Sequence, residues 1–225
     1  MSDERPRTTA AHLRCYALIA GGGTTGHVQP ALAIARALVA RGHKQSSIEL
    51  VGSERGIEAR LVPEAGFELT LLPGRGLQRK LSWQNVRSLG ALAVAFGRSW
   101  RLVGKRRPKV VVSVGGYASV PCALAAVLRR IPVVVAEQNA TPGAANRLVA
   151  RFAKACAVSF PDTPLPRAAV TGNPVRPEVL AIDRARDGDT ARAKLGVAPG
   201  RRMVLIFGGS LGALRINQAA VDAAR

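Results

Sequence analysis

The sequence predicts an α/β fold built on a doubly wound parallel sheet, and three observations carry that prediction. Short apolar runs rich in β-branched residues alternate with stretches of helical period along most of the chain. Three of those runs end on paired glycines and open a helical pattern: CYALIAGGGTTGHVQP at 15–30, VVVSVGG at 110–116 and MVLIFGGS at 203–210. In doubly wound sheets ligands lie at the carboxyl ends of the strands, where all three glycine loops fall, so the loops are expected to line one cleft. A glycine backbone at a helix N-terminus, with unpaired N–H groups, is a ready anion seat. The chain therefore reads as one that handles phosphorylated ligands.

The elements follow in order. A strand at 13–20 runs into the first loop, and 27–40 reads as a helix with Val28, Leu32, Ala35, Leu38 and Val39 inward. Pro30 falls in its first turn, and Gly42 is its stop. Ile34 lies off that stripe, which predicts burial on more than one side. A strand at 47–51, a short helix at 57–62 ended by Pro63 and Gly66, and a strand at 67–72 come next. Leu77, Leu81, Val86, Leu89, Leu92, Phe96, Trp100 and Val103 then recur at mostly helical intervals, interleaved with cations. Further on the pattern predicts a strand at 110–114, a helix at 119–128 and a strand at 132–136 that ends at Glu137, Gln138 and Asn139. Thr141 and Pro142 make a cap and first-turn pair for a helix through Phe152, followed by strands at 156–160 and 168–171. Gly172, Asn173 and Pro174 break the pattern, and a polar, charged stretch runs to Gly200. A strand at 202–207, the third loop at 208–212 and a helix at 213–224 close the chain. The predicted organisation is a disordered leader at 1–11, a domain at 12–174, and at 175–225 a linker with the first β-α unit of a second domain. One strand and one helix cannot bury a core, so that second domain reads as incomplete.

Of the 225 residues 48% are apolar, ample for a core. Cys15, Cys122 and Cys156 sit in apolar runs without metal-ligand spacing and read as buried free thiols in a reducing compartment, with no metal site. The apolar run before the first loop is too short for a signal-peptide core, and no run reaches the roughly 18–20 residues of a membrane span. A cytoplasmic protein that does not cross the membrane is the expectation. The net charge is +19, and 70–136 holds no Asp or Glu beside Arg75, Arg79, Lys80, Arg87, Arg98, Arg101, Lys105, Arg106, Arg107, Lys109, Arg129 and Arg130. An anionic membrane surface, nucleic acid and plain arginine-rich composition all fit such a field. No aromatic-rich strand motif, zinc-finger spacing or helix-turn-helix pattern supports nucleic acid.

Gly21-x-Gly23-x-x-Gly26 matches a dinucleotide fingerprint, with Glu49 near the position of a ribose-binding acid, and leaves an NAD-type oxidoreductase as one reading. A P-loop is excluded, because His27 and Val28 stand where Lys and Ser or Thr are required. His27 lies on the first turn of its helix, whose positive end favours neutral imidazole; a polar-surface histidine fits the spacing too. Glu137 and Asn139 emerge at the end of an apolar strand, suited to orienting a sugar hydroxyl, to acid–base work or to capping a loop. Ser210 suits a phosphate contact or a helix cap.

The segments GGGTTGHVQPALAIARAL, VSVGGYASVP, AEQNATPGAANRL, TGNPVR and FGGSLGALRINQ, in that order, resemble the MurG family over residues 13 to 218. The family's first loop usually reads GGTGGH, and here Thr25 replaces a glycine. The resemblance implies a GT-B fold: a Rossmann-like acceptor-binding domain at 12–174 and, beginning at 175–225, a donor-binding one. It implies an inverting transfer of N-acetylglucosamine from UDP-N-acetylglucosamine to the 4-hydroxyl of the muramyl sugar of lipid I (undecaprenyl-pyrophosphoryl-MurNAc-pentapeptide), giving lipid II. Carried over by motif, Thr24, Thr25, Gly26, Asn139, Arg176 and Ser210 would contact the donor. His27 and Glu137 would be catalytic, His27 the first candidate base, with Gly22, Gly23, Gly115, Gly116 and Tyr117 on the acceptor and diphosphate side. No cofactor or metal is implied. The family's membrane-anchored substrate implies a peripheral place on the cytoplasmic face of the membrane, with the cationic helix and Leu81, Trp83, Leu89, Leu92 and Phe96 resting on anionic headgroups. An inactive acceptor- and membrane-binding fragment is the alternative.

Overall fold

The fold is described from a computed structural model that covers residues 15–54, 56–73, 83–208 and 213–223, with the backbone alone over 83–89. The predicted leader, Leu77, Leu81 and Ser210 lie outside these residues. Contacts divide the chain into two units, Met1–Val175 and Arg176–Arg225.

The first unit alternates strand and helix: β1 (Ala17–Gly21), α1 (Thr25–Ala40), β2 (Ile48–Ser53), α2 (Glu58–Glu64), β3 (Glu68–Leu72), α3 (Trp83–Arg106), β4 (Val110–Gly115), α4 (Ser119–Leu128), β5 (Val133–Glu137), α5 (Ala144–Ala150), β6 (Ala155–Val158) and β7 (Ala168–Val170). The strands form one parallel sheet in the order β3-β2-β1-β4-β5-β6-β7. The doubly wound reading is borne out. Helices cover both faces, so the central strands are apolar on both sides and their residues divide by period two. Leu18 and Ala20 of β1, Val51, Val111, Val133 and Val135 face the cluster that includes α3 and α4 residues. Ile19, Ile48, Leu50, Val112, Val114 and Ala136 face the cluster under α1 and α2.

Charge settles the amino end of the sheet. Arg106, at the end of α3, places Nε 2.7 Å from Glu49 Oε2, and its Nη2 donates to Glu68 Oε2 at 2.6 Å. Thr70 Oγ1 donates to Glu49 Oε1 at 2.6 Å. Glu49 is thus a buried tie between β2, β3 and α3, four residues before the carboxyl end of its strand, and about 13 Å from it at 3.3 Å per residue. A ribose-binding acid belongs at the other end, so the dinucleotide reading loses its acidic partner.

Several boundaries differ from expectation. Helix α1 begins at Thr25, which puts Pro30 in the second turn and leaves the Gly26 carbonyl without its helical N–H. Pro63 lies inside α2, and Gly66, at φ +78°, is the stop. Helix α5 starts at Ala144 behind Gly143, not at Thr141 and Pro142. Phe96 packs against the core. Among the described residues no helix is long and apolar enough to cross a membrane.

The second unit holds α6 (Pro177–Leu180), α7 (Arg184–Lys194) and α8 (Leu214–Ala223), none with a buried residue. Helix α7 falls in the stretch expected to be merely polar, capped by Asp183, whose Oδ1 accepts from Ala185 N at 2.8 Å. The strand expected at 202–207 is absent: those residues are exposed and pair with no other strand among the described residues. An apolar run makes a strand only where a neighbour supplies the ladder.

Leu18 is fully buried in the central strand, and Val94 on α3 is 52% exposed. Leu18→Ala is expected to cost about 2–5 kcal/mol in urea unfolding, and Val94→Ala less than about 0.5 kcal/mol.

Candidate functional site

The strand order reverses between β1 and β4, so the chain leaves their carboxyl ends in opposite directions and opens a crevice there. The first two glycine loops follow those strands. Gly21 pairs with Gly115 after a register shift. A Cβ on Gly116 would run into the Gly22 carbonyl oxygen, and Gly116 has φ +83°, so the two loops meet backbone against backbone.

His27 hangs over this junction from the first turn of α1, half-buried. The Thr24 carbonyl accepts from His27 N at 3.0 Å, and Thr24 Oγ1 lies 3.1 Å from His27 Nδ1. The far edge of the ring faces Gly115, where a Cβ would come within 3.1 Å of Nε2 and Cδ2. Burial holds the imidazole below its usual pKa, against the pull of Glu137 and then Glu58. At neutral pH His27 is uncharged and able to accept a proton.

Glu137, at the end of β5, is buried and saturated with donors. Its Oε1 accepts from Asn139 N at 3.0 Å and Asn139 Nδ2 at 2.8 Å. Its Oε2 accepts from Gly143 N and Asn146 Nδ2, both at 3.0 Å. Asn146 Nδ2 also donates to the Ala136 carbonyl at 3.1 Å, while its Oδ1 accepts from Ser113 Oγ at 2.9 Å. The carboxylate therefore ties β4, β5 and α5 together. A cavity of about 220 Å³ adjoins it, lined by Ile34, Ala136, Ala157, Thr171, Asn173 and Pro174 among others. The TGNP segment thus lies beside Glu137.

Thr24, Thr25 and Gly26 sit together at the start of α1, and Thr25 has helical backbone, so its Cβ is accommodated without strain. Asn139 is exposed, beside the Glu137 carboxylate that accepts from it. Tyr117 follows the second loop but packs against the α3–α4 side of the core, and its buried hydroxyl has no partner among the described residues. Arg176 is exposed at the N-cap position of α6 in the second unit, without a capping side-chain bond, and Ser210 is outside the described residues. Sequence reasoning passed over Glu58, Ser53, Ser113 and Asn146. Asn146 stands in a motif already singled out; Glu58 gave no signal beyond an acid in a helix's first turn. Burial pushes the Cys15 thiol up to about 11 and Cys122 to about 12, so neither is a nucleophile. Among the described residues no group of three or more His, Cys, Asp and Glu is arranged to hold a metal.

Residues 17–158 match the model of the glycosyltransferase family 28 N-terminal domain. The chain is 46% identical over 207 residues to the UDP-N-acetylglucosamine--N-acetylmuramyl-(pentapeptide) pyrophosphoryl-undecaprenol N-acetylglucosamine transferase of Nocardioides sp. (strain ATCC BAA-499 / JS614), covering 92% of this chain and 56% of that one. It is 42% identical over 212 residues to the transferase of the same name from Cutibacterium acnes, with the same coverage. Among solved structures, MurG of Acinetobacter baumannii superposes with a TM-score of 0.60 at 29% identity, over 72% of this chain and 46% of that one. UDP-GlcNAc 2-epimerase from Neisseria meningitidis gives 0.59 at 16% identity, over 93% and 62%, a likeness of fold. The chain spans about half the length of the relatives it matches.

A histidine whose folded pKa is depressed binds its proton more readily unfolded. Its contribution to stability is complete above the unfolded value, about 6.5, and is lost as pH falls below it. His27→Gln is expected to flatten the loss of stability between pH 7 and 5.5, measured by urea unfolding at both.

Proposed function

Proceeding from the match over residues 17–158, by which the chain belongs to glycosyltransferase family 28, we propose that it serves an inverting N-acetylglucosamine transfer. The donor is UDP-N-acetylglucosamine, and the acceptor is the muramyl 4-hydroxyl of lipid I. The single observation that carries this reading is His27: neutral, held through Nδ1 by Thr24, with Nε2 at the junction of the two glycine loops.

In the proposed reaction the acceptor oxygen attacks the anomeric carbon, the bond from that carbon to the UDP oxygen breaks with inversion, and Nε2 takes the hydroxyl proton. Donation of Nδ1–H to Thr24 Oγ1 leaves Nε2 free to do so. Glu137, with four donors on its carboxylate, is suited to positioning the loop that carries Asn139 and less to taking the proton. Thr24, Thr25, Gly26, Asn139, Arg176 and Ser210 are assigned to the donor, and N–H groups around Ser210 stabilise the leaving diphosphate. Of the residues expected on the acceptor and diphosphate side, Gly115, Gly116 and Tyr117 are assigned to the acceptor and its diphosphate, and Gly22 and Gly23 to the acceptor side without a phosphate contact. The domain limits are kept at 12–174 and 175–225.

The chain is further proposed to work on the cytoplasmic face of an anionic membrane. Supporting this, α3 exposes Val94 and Trp100 beside Arg98, Arg101 and Lys105, and Arg129 stacks on Trp100 at 3.9 Å from the ring centre. A second reading, an acceptor-side module without turnover, is favoured by the absence of any buried residue in the helices of the second unit. Transfer of label from UDP-N-acetylglucosamine to a lipid I analogue by this chain separates the two.

Where turnover is seen, His27→Ala is expected to lower kcat by about 10²–10⁴ with donor affinity changed far less; near-normal turnover removes His27 as the base. Co-sedimentation with liposomes is expected to rise with anionic lipid and fall with salt, and binding indifferent to both removes the membrane surface.

A further inference from the structure

Glu58 is 1% exposed, and three chain segments are shaped around it. A Cβ on Gly22, Gly52 or Gly56 would in each case run into its side chain. The carboxylate accepts from Ser53 N at 2.7 Å and Ser53 Oγ at 2.9 Å, and Gly23 N lies 3.1 and 3.2 Å from its two oxygens. Hydrogen bonds to an ionised acceptor are among the stronger ones. The glycines that suggest a cradle for a ligand's phosphate thus cradle an anion that the protein supplies. A second anion at the Gly23 amide would meet this charge at close range, which is unfavourable.

We propose that Glu58 is a positioning residue whose buried carboxylate fills the anion seat of the first glycine loop from within, fixing Thr24 and His27 and closing that seat to ligand phosphate. The positioning role rests on the reading of His27 as the base; the filled seat does not. Two carboxylates act on His27, Glu137 from the end of β5 and Glu58 from α2, and both favour its protonated form. Removing the charge of Glu58 while keeping its shape therefore makes His27 harder to protonate.

The experiment is NMR of the whole chain, which reads the seat without needing turnover. In the unmodified protein the Gly23 amide, in an exposed loop, is expected to exchange with solvent at least about 100-fold more slowly than an unbonded glycine. Exchange near the intrinsic rate overturns the proposal. Saturating inorganic pyrophosphate is expected to leave the Gly23 amide signal in place, and a saturable shift there overturns the closed seat. In Glu58→Gln the His27 titration midpoint is expected to fall by roughly half a pH unit or more. Ser53→Ala, which keeps the charge, is expected to leave it within about 0.2 of a unit. An unmoved midpoint in Glu58→Gln, or an equal fall in Ser53→Ala, overturns the positioning role. Retained turnover in His27→Ala with the midpoint still moving in Glu58→Gln refutes the base and leaves the filled seat standing.

Discussion

At the centre of the sheet two strands run side by side and their chains part, and the Gly22 and Gly116 backbones touch where they do so. Everything at the site is set by that approach. It brings the first turn of α1 over the end of β4, so that His27 meets Gly115. It also requires glycine at two positions, since a Cβ at Gly21 would strike Val114 and the Gly115 carbonyl, and one at Gly116 the Gly22 carbonyl. A glycine pair after each strand is the sequence's way of allowing two parallel strands to end against one another before diverging.

Around that junction the protein uses carboxylates as structural anions. Glu58 draws on the loop after β1 and on β2, and Glu137 on the loop after β5 and on α5. Both are buried, and their described donors are backbone amides, a hydroxyl and side-chain amides, which set direction as well as distance. Rigid flanks of this kind keep a half-buried histidine in one orientation, while its burial keeps it neutral against their pull; a base requires both properties.

The sheet was legible because its strands are buried on both faces, and apolar β-branched runs such as VVVSVGG have few other uses. Helix α4, expected at 119–128, lies at Ser119–Leu128, directly beyond the second glycine pair that marks its start in the sequence. Helix α5 starts later than the sequence predicts, although Thr141 and Pro142 are a good local cap. The Gly143 amide instead bonds Glu137 across the fold, and tertiary contact overrides local preference. The run at 203–207 was read from composition, which cannot report whether a neighbouring strand is there to pair with it. His27, Glu137 and Asn139 were found because polar residues after apolar strands stand out. Glu58 was not, because its role depends on glycines converging from three separate segments, a relation that no spacing in the chain records.

The exposed run Met203, Val204, Leu205, Ile206 and Phe207 has a consequence for how this chain behaves in concentrated solution. Five consecutive apolar, β-prone residues are a template for the same run in another molecule. The charge of +19 holds molecules apart, and its reach is the Debye length, about 10 Å at 0.1 M salt and about 3 Å at 1 M. Raising the salt removes the repulsion and leaves the template intact. Dilute buffer is therefore expected to favour dispersion of this chain, and brine its self-association.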